Sequence, residues 1–290
     1  MNCWFDGQLV QQATISVMSH SLHYGGAVFE GIRFYDAGSG RKSIFRLGDH
    51  VERLLFSAEA MGMRCPYSRE VLEAAIIETM RVSGLADGYI RPIVFLGEGF
   101  GLCAGDLPVH TAIYVFSHKQ REQPLSLDIS ELIRMHPRST NLAAKVSGHY
   151  ANSLQAARKA QELGADDALL LDYQGFVAET SVANVFFVRE ERVFTPMSEN
   201  IFPGLTRRTV FFICESLGIP VAESHVTVSR ALAADAMFIA GSASGLLPVA
   251  RLNHKMFDTN NEFVSQIVEQ YEQGVRGRVD VWPKHFLTKV

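Results

Sequence analysis

Apolar and polar positions run along the first half of the chain in two rhythms, one of period two and one close to 3.6. Cys3-Trp-Phe-Asp-Gly-Gln-Leu-Val10 sets an Asp-Gly pair between apolar pairs, which predicts a hairpin. After the loop of residues 19–26, residues 28–35 alternate as a strand. Val28, Ile32 and Phe34 share a face, with Phe29 and Glu30 at the exit of a glycine-rich turn. Val51, Leu54, Leu55, Ala58 and Met61 recur at helical spacing within residues 49–63. A second helix starts at Ser68, an N-cap residue type, runs through Val71, Leu72, Ala75, Ile76 and Met80, and stops at Gly84. The β-rich runs 89–96 and 111–116 complete a first α+β unit.

The polar stretch His118-Lys-Gln-Arg-Glu-Gln-Pro124 is the best linker candidate. It divides the chain into an N-terminal domain (residues 1–118), an interdomain loop (119–126) and a larger C-terminal domain (127–290). Beyond it the pattern predicts a strand over 127–135 and a helix over 148–163 with Ala156, Ala157 and Ala160. Two strand pairs follow, 168–172 with 176–178 around Gln174-Gly175, and 184–188 with 193–195 across Glu190-Glu191. Helices over 205–217 and 265–275 close the chain. Strands and helices alternate less regularly than a doubly wound sheet requires, and neither a GxGxxG after a strand nor a P-loop is present.

Composition narrows the classes. The 290 residues allow one large domain or two ordinary ones, with a core that needs no staples. A net charge of −4, with no Lys/Arg run longer than two, argues against a nucleic-acid or anionic-membrane surface. The four cysteines are far apart and form no CxxC, which fits a reducing compartment and suggests neither disulfides nor zinc. The opening residues show no signal-peptide pattern. The most membrane-like stretch, 231–250, contains Asp235, Gly241, Ser242, Ser244, Gly245 and Pro248, and suits a buried strand and turn better than a span. A cytoplasmic protein is expected.

Lys145 is the first candidate for chemistry. In Asn141-Leu-Ala-Ala-Lys-Val-Ser-Gly-His-Tyr150 it has small or apolar neighbours and no acidic residue within five positions. Burial there would favour a free nucleophilic amine, the partner of a carbonyl such as that of pyridoxal phosphate. The alternative is a lysine at a helix start with its stem packed and its head in water. Such a cofactor also needs a carboxylate near its ring nitrogen and a cradle for its phosphate. Glu179, among apolar and small residues after a strand, suits the first and equally suits a cap. Phe202-Pro-Gly-Leu-Thr-Arg-Arg208 runs into a helix at Thr206, and helix N-termini bind anions; Thr206 as a plain N-cap explains the same residues. Ala240-Gly-Ser-Ala-Ser-Gly245 has the same appeal. His20 and His23 lack a third ligand, so no metal site is expected. Ser19-His-Ser-Leu-His has no nucleophile elbow.

Taken together, these segments resemble the fold-type IV pyridoxal-phosphate enzymes, in particular the branched-chain amino acid aminotransferases, from about Trp4 to Val249. Tyr24-Gly-Gly-Ala-Val-Phe-Glu-Gly-Ile-Arg33, His50-Val-Glu-Arg-Leu54, Tyr89-Ile-Arg-Pro92, Ala144-Lys-Val-Ser-Gly-His-Tyr150, the Glu179–Asn184 spacing, Pro203-Gly-Leu-Thr-Arg207 and Gly241-Ser-Ala243 occur in the family's order. The resemblance implies an α+β fold with a small N-terminal α/β domain and a larger β-barrel-like domain with flanking helices. It implies pyridoxal phosphate linked to Lys145, with Arg53, Tyr150, Glu179, Asn184, Leu205, Thr206 and Ser242 holding the cofactor. Tyr24, Phe29, Tyr89, Arg91, Ser242 and Ala243 would hold the substrate. Aromatic walls would take an aliphatic side chain and the Tyr89/Arg91 pair the distal carboxylate of glutamate.

The implied activity is ping-pong transamination of valine, leucine and isoleucine with 2-oxoglutarate, by a homodimer or larger homo-oligomer. A D-amino acid or amine transaminase, an aminodeoxychorismate lyase and a catalytically idle cofactor-binding protein are the alternatives. Three segments depart from the family pattern: Glu98-Gly-Phe-Gly-Leu-Cys-Ala104, the short stretch 119–124, and Thr180-Ser-Val-Ala183 in place of a glycine-rich filler.

Overall fold

Asp6 and Gly7 take positive φ, 45° and 93°, and turn β1 (Cys3–Phe5) into β2 (Gln8–Val10), as the Asp-Gly pair predicts. The computed structural model describes residues 3–102 and 106–290. Cys103 and Ala104, at the end of the first divergent segment, lie outside the described residues. Two compact units divide the chain. Unit 1 takes Met1–Lys119, Ala144–His149 and Val275–Val290, and unit 2 takes Gln120–Ala143 and Tyr150–Gly274.

In unit 1 the hairpin is followed by α1 (His20–Tyr24), β3 (Val28–Phe29), β4 (Ile32–Gly38), β5 (Arg41–Phe45), α2 (Leu47–Ala60), α3 (Arg69–Ser83), β6 (Gly88–Leu96) and β7 (Val109–Phe116). The Ser68 hydroxyl accepts the Val71 N–H at the start of α3, and Gly84 ends it with a φ of 68°. The apolar stripes of both helices, including Val51, Leu54, Leu72, Ile76 and Met80, share one core with Ile32, Phe34, Ile44, Ile90, Val94 and Ile113 of the sheet.

The strand expected over 28–35 is interrupted at Glu30-Gly31. Its register against β6 is unbroken, Phe29 opposite Ile93 and Ile32 opposite Ile90. Glu30 therefore faces Pro92, which accepts the Glu30 N–H at 2.9 Å and has no N–H to return. Gly31 is the next requirement, because a Cβ there would overlap the Tyr89 phenol. Two residues of β6 thus shape the gap in the neighbouring strand.

Unit 2 contains β8 (Leu125–Ile129), α4 (Tyr150–Glu162), β9 (Asp167–Leu171), β10 (Val177–Thr180), β11 (Asn184–Arg189), β12 (Arg192–Pro196), α5 (Leu205–Leu217), β13 (Val221–Ser224), α6 (Val228–Leu232), β14 (Ala236–Gly241), β15 (Gly245–Leu252), β16 (Lys255–Met256) and most of α7 (Glu262–Val275). Because β10 pairs with both β9 and β11, the strands β10-β9-β8-β15-β14-β11 close on themselves. Leu127, Leu169, Val185, Phe187, Ile239, Leu247 and Val249 belong to one buried cluster of this barrel. The expected architecture, an α+β unit and a β-barrel with flanking helices, is present.

The strand expected over 127–135 stops at Ile129, and the chain turns so that Arg134 donates its N–H to Leu171. The sequence boundary assigned everything after residue 127 to one domain, whereas residues 144–149 and 275–290 lie with unit 1. Backbone pairing is the reason. Val146 bridges Val28, Phe29 donates its N–H to the Lys145 carbonyl, and β17 (Leu287–Lys289) pairs with β5.

Candidate active site

Lys145 is clamped through its backbone before its amine does anything. Its carbonyl accepts the Phe29 N–H at 3.1 Å, and its own N–H donates to the Ser57 hydroxyl at 3.0 Å. Ser57 in turn donates to the Arg53 carbonyl at 2.7 Å, one helical turn back along α2. The amine lies over the Phe29 ring, 5.2 Å from its centre. Lys145 is half-buried by accessible area, and the protein packed around its amine pushes its pKa down to about 8. Arg53 and Arg91 act in the same direction, and Glu30 and Tyr89 oppose them.

The Arg53 guanidinium faces the buried carboxylate of Glu30, with Nε at 2.5 Å from Oε1 and Nη2 at 2.9 Å from Oε2. His50 Nδ1 lies 2.7 Å from Glu30 Oε2. Burial alone would raise the Glu30 pKa, but Arg53, with His50 adding its hydrogen bond, holds it well below the usual carboxylate range. Burial pushes the His50 pKa down despite Glu30, so its ring is neutral. A carboxylate only accepts, which places the His50 proton on Nδ1 and leaves Nε2 as a buried acceptor without a hydrogen-bond partner among the described residues. Sequence reasoning missed Glu30 and Ser57. The signal for Glu30 was an acid inside an otherwise apolar strand pattern.

Of the six residues expected to hold the substrate, Tyr24, Phe29, Tyr89 and Arg91 also belong to unit 1. The Arg91 guanidinium stacks 4.4 Å from the Phe29 ring centre and donates to the Tyr89 phenol at 3.3 Å, while its Nε is buried with no hydrogen-bond partner among the described residues. Tyr89 packs against Phe116 and His118 at 5.3 and 5.6 Å. Arg91, Phe29, Tyr89 and Lys145 are thus brought together. Tyr24 at the end of α1 is directed elsewhere: its phenol accepts the Gly101 N–H at 3.1 Å and its ring packs on His20.

In unit 2, Glu179 and Asn184 face each other across β10 and β11. The turn between them closes without glycine, because the Thr180 hydroxyl accepts the N–H groups of Val182 and Ala183. That accounts for the departure at Thr180-Ser-Val-Ala183. The Glu179 carboxylate receives Arg134 Nε at 2.5 Å, Asn184 Nδ2 at 3.0 Å and the Phe202 N–H at 3.1 Å. Arg134 is buried and was missed by the sequence reading. Its signal was a single arginine in the apolar run Leu132-Ile-Arg-Met135.

Thr206 is not the cap of α5. Gly204 occupies that position and makes no side-chain cap, and a Cβ there would meet the Asn184 amide oxygen. Leu205 and Thr206 are the first two residues of the helix, where N–H groups have no intrahelical partner. The Thr206 hydroxyl is buried and has no hydrogen-bond partner among the described residues. A buried orphan hydroxyl beside a helix N-terminus fits a phosphate. Ser242 and Ala243 lie in the turn from β14 to β15, whose Gly241 packs against Ala183. Tyr150 opens α4 and is half-buried.

A lysine amine with a depressed pKa in one unit, and a donor-ringed carboxylate with an anion-ready helix start on a barrel in the other, are the features of a class of transferase. The chain belongs to the amino-transferase class IV family, whose model matches residues 27–252. More particularly, it is similar to the branched-chain-amino-acid aminotransferase of Pseudomonas aeruginosa, 38% identical over 259 residues, covering 86% of this chain and 84% of that one. Among solved structures it is similar to the branched-chain aminotransferase of Thermoproteus uzoniensis with norvaline, with a TM-score of 0.95, 35% identity, and 100% and 99% of the two chains covered. The T.th. branched-chain amino acid aminotransferase complexed with N-(5'-phosphopyridoxyl)-L-glutamate has a TM-score of 0.92 at 33% identity, covering 99% of this chain and 97% of that one.

Proposed function

We propose that this chain transfers amino groups between the branched-chain L-amino acids valine, leucine and isoleucine and 2-oxoglutarate, with pyridoxal phosphate as cofactor. The observation that carries the reading is Lys145, an amine fixed at both ends of its peptide unit with its pKa lowered to about 8. Bound pyridoxal phosphate supplies an electrophilic carbonyl carbon and a ring that accepts an electron pair. The orphan Thr206 hydroxyl and the first turn of α5 support a phosphate at that helix start; Arg53, in its family motif, is assigned to the cofactor as well. Glu179, ringed by donors, stays an anion suited to a protonated ring nitrogen, with Asn184 and Arg134 fixing its direction.

Lys145 Nζ takes up the proton from the substrate Cα, as general base and then as general acid. Phe29 and Tyr89 offer apolar walls to an alkyl group, and Arg91, stacked on Phe29 with a buried unsatisfied Nε, offers a charge to the distal carboxylate of a glutamate-like substrate. Ser242 and Ala243 would orient the substrate carboxylate, and Tyr150 would help hold the cofactor when it is bound. Norvaline and the phosphopyridoxyl-glutamate adduct in the similar structures support both kinds of side chain.

Two wider assignments belong to the same reading. Val17, Leu22, Phe100 and Leu102 are each at least 62% exposed, and their segments are tied together by the Ser19–Glu98 bridge and a Gly99 N–H to Met18 carbonyl bond. An apolar surface of this kind is suited to a second copy of the chain, so the active form is at least a homodimer. Among the described residues no helix is long and apolar enough to cross a membrane, and Cys3, Cys65 and Cys214 are free thiols, which supports a cytoplasmic setting.

The test is a panel of L- and D-amino acids with 2-oxoglutarate, reading glutamate and the new keto acid. L-leucine, L-isoleucine and L-valine should each give both products in equal amounts. Faster turnover of the D-enantiomers, or pyruvate release without amino exchange, overturns the reading in favour of a related transaminase or a lyase. Light scattering during chromatography should return at least twice the 32.2 kDa chain mass.

A further inference from the structure

We propose that Glu30 is a positioning residue for this reaction: its carboxylate fixes the guanidinium of Arg53 in one plane and supplies the negative charge that balances the cations around the Lys145 amine. The proposal rests on the transaminase reading for what Lys145 does, and on the geometry of unit 1 for everything else.

Glu30 has no exposed surface, and its two oxygens receive four donors: Arg53 Nε and Nη2, His50 Nδ1 and the Gly31 N–H. A guanidinium held through Nε and Nη2 cannot rotate about its last bond without losing both contacts. Its Nη1 edge is thereby aimed away from Glu30, toward whatever anion Arg53 serves. The unbroken register puts Glu30 on the same buried face as Val28, Ile32 and Phe34, and the adjacent residue Phe29 carries both the backbone bond to Lys145 and the ring beneath its amine.

The charges that act on the Lys145 amine are Glu30 and Tyr89, which favour the ammonium, and Arg53 and Arg91, which oppose it; His50 is close enough to feel Lys145 and is itself neutral. Without Glu30, the effect of two guanidiniums on the amine would be opposed by no carboxylate. His50 cannot replace it, because a neutral imidazole brings a hydrogen bond and no charge. The expected consequence is specific in sign. Glu30→Gln keeps the shape, removes the charge and makes Lys145 give up its proton more easily. Arg53→Gln does the reverse.

The experiment is done on apoprotein, without cofactor or substrate, so the outcome of its acetylation arm is independent of whether the transaminase reading stands; the phosphate arm is read only if Arg53→Gln itself weakens phosphate binding. Acetylation of Lys145 by acetic anhydride is followed against pH by mass spectrometry of the Lys145 peptide, and inorganic phosphate binding is followed by calorimetry. Wild-type protein should show a midpoint near 8. In Glu30→Gln the midpoint should fall, by no more than the roughly 1–3 units that an opposite charge exerts at close range, and in Arg53→Gln it should rise. Phosphate affinity should weaken about ten-fold in Glu30→Gln, as expected for one misdirected charge-assisted bond.

A midpoint in Glu30→Gln that stays or rises overturns the charge role, and unchanged phosphate affinity overturns the orienting role. A merely structural carboxylate would lower the melting temperature and leave the midpoint alone. If Glu30→Gln does not fold, the double variant with Arg53→Gln is compared with Arg53→Gln alone: a lower midpoint in the double variant supports the proposal, and an equal one overturns it.

Discussion

In unit 1 one buried carboxylate, Glu30, receives Arg53 and His50 and also balances Lys145, whose amine remains short of full compensation and has its pKa lowered to about 8. In unit 2 one carboxylate, Glu179, has a guanidinium, an amide and a backbone N–H to itself. The first arrangement leaves a proton loosely held; the second fixes an anion. The contrast separates a group that must change protonation state from a group that must not, and the surroundings of each follow from that task.

The largest effect should come from Lys145→Ala, and it divides activity from stability. Transamination of L-leucine should fall by about 10²–10⁴-fold, the usual contribution of a positioned proton-transfer group. Unfolding by denaturant should show little loss of stability, because the substitution removes a cation that Arg53 and Arg91 disfavour. Retained activity would sink the assignment of the base. Arg134→Met should behave in the opposite manner. It strips the buried Glu179 of its charge partner, which costs about 3–5 kcal/mol when one member of a buried pair is removed. If Arg134→Met is as stable as the parent while Lys145→Ala unfolds, the contrast between the units is reversed.

A third expectation concerns the uncommitted charge in unit 1. Arg91→Met should raise the KM for 2-oxoglutarate about ten-fold or more, since a hydrogen bond to a charged group contributes about 1.5–3 kcal/mol. The branched keto acids should lose little, because Phe29 and Tyr89 remain. Equal losses for both acceptors would show that Arg91 shapes the pocket rather than reading a carboxylate.

Residues whose environment is local were legible in the sequence. Asp6-Gly7, Ser68, Gly84 and the helix over 205–217 follow from turn geometry, capping and a 3.6-residue rhythm that the chain carries within a few positions. Lys145 stood out as a lysine in apolar company, and ordered motifs placed Arg53, Glu179 and Thr206 beside it in expectation. What was not legible depends on partners far along the chain. Glu30 is tolerated on the buried face because His50 and Arg53, 20 and 23 positions on, meet its carboxylate; Arg134 leaves its strand pattern to meet Glu179, 45 positions away. Residues 144–149 joined unit 1 through backbone bonds to Val28 and Phe29, a pairing that no periodicity encodes. Thr206 reads as a cap from sequence because nothing local says that Gly204 takes that place, held by its close approach to Asn184.

The smallest effect asked of the comparison is Ser57→Ala, and it tests whether charge or backbone placement dominates in unit 1. The Ser57 hydroxyl accepts the Lys145 N–H and donates to the Arg53 carbonyl, so its removal leaves one N–H unpaired at a cost of about 1 kcal/mol. The Lys145 carbonyl keeps its bond from Phe29, and Val146 keeps its bridge to Val28, so the peptide should loosen without leaving its place. Hydrogen exchange at the Lys145 amide should quicken about five-fold, in line with that energy. The turnover number should fall only a few-fold, and the pH midpoint of Lys145 acetylation should stay where it is, because no charge has changed. A loss on the scale of Lys145→Ala would mean that the peptide clamp, rather than the balance among Glu30, Arg53 and Arg91, is what makes this amine a base.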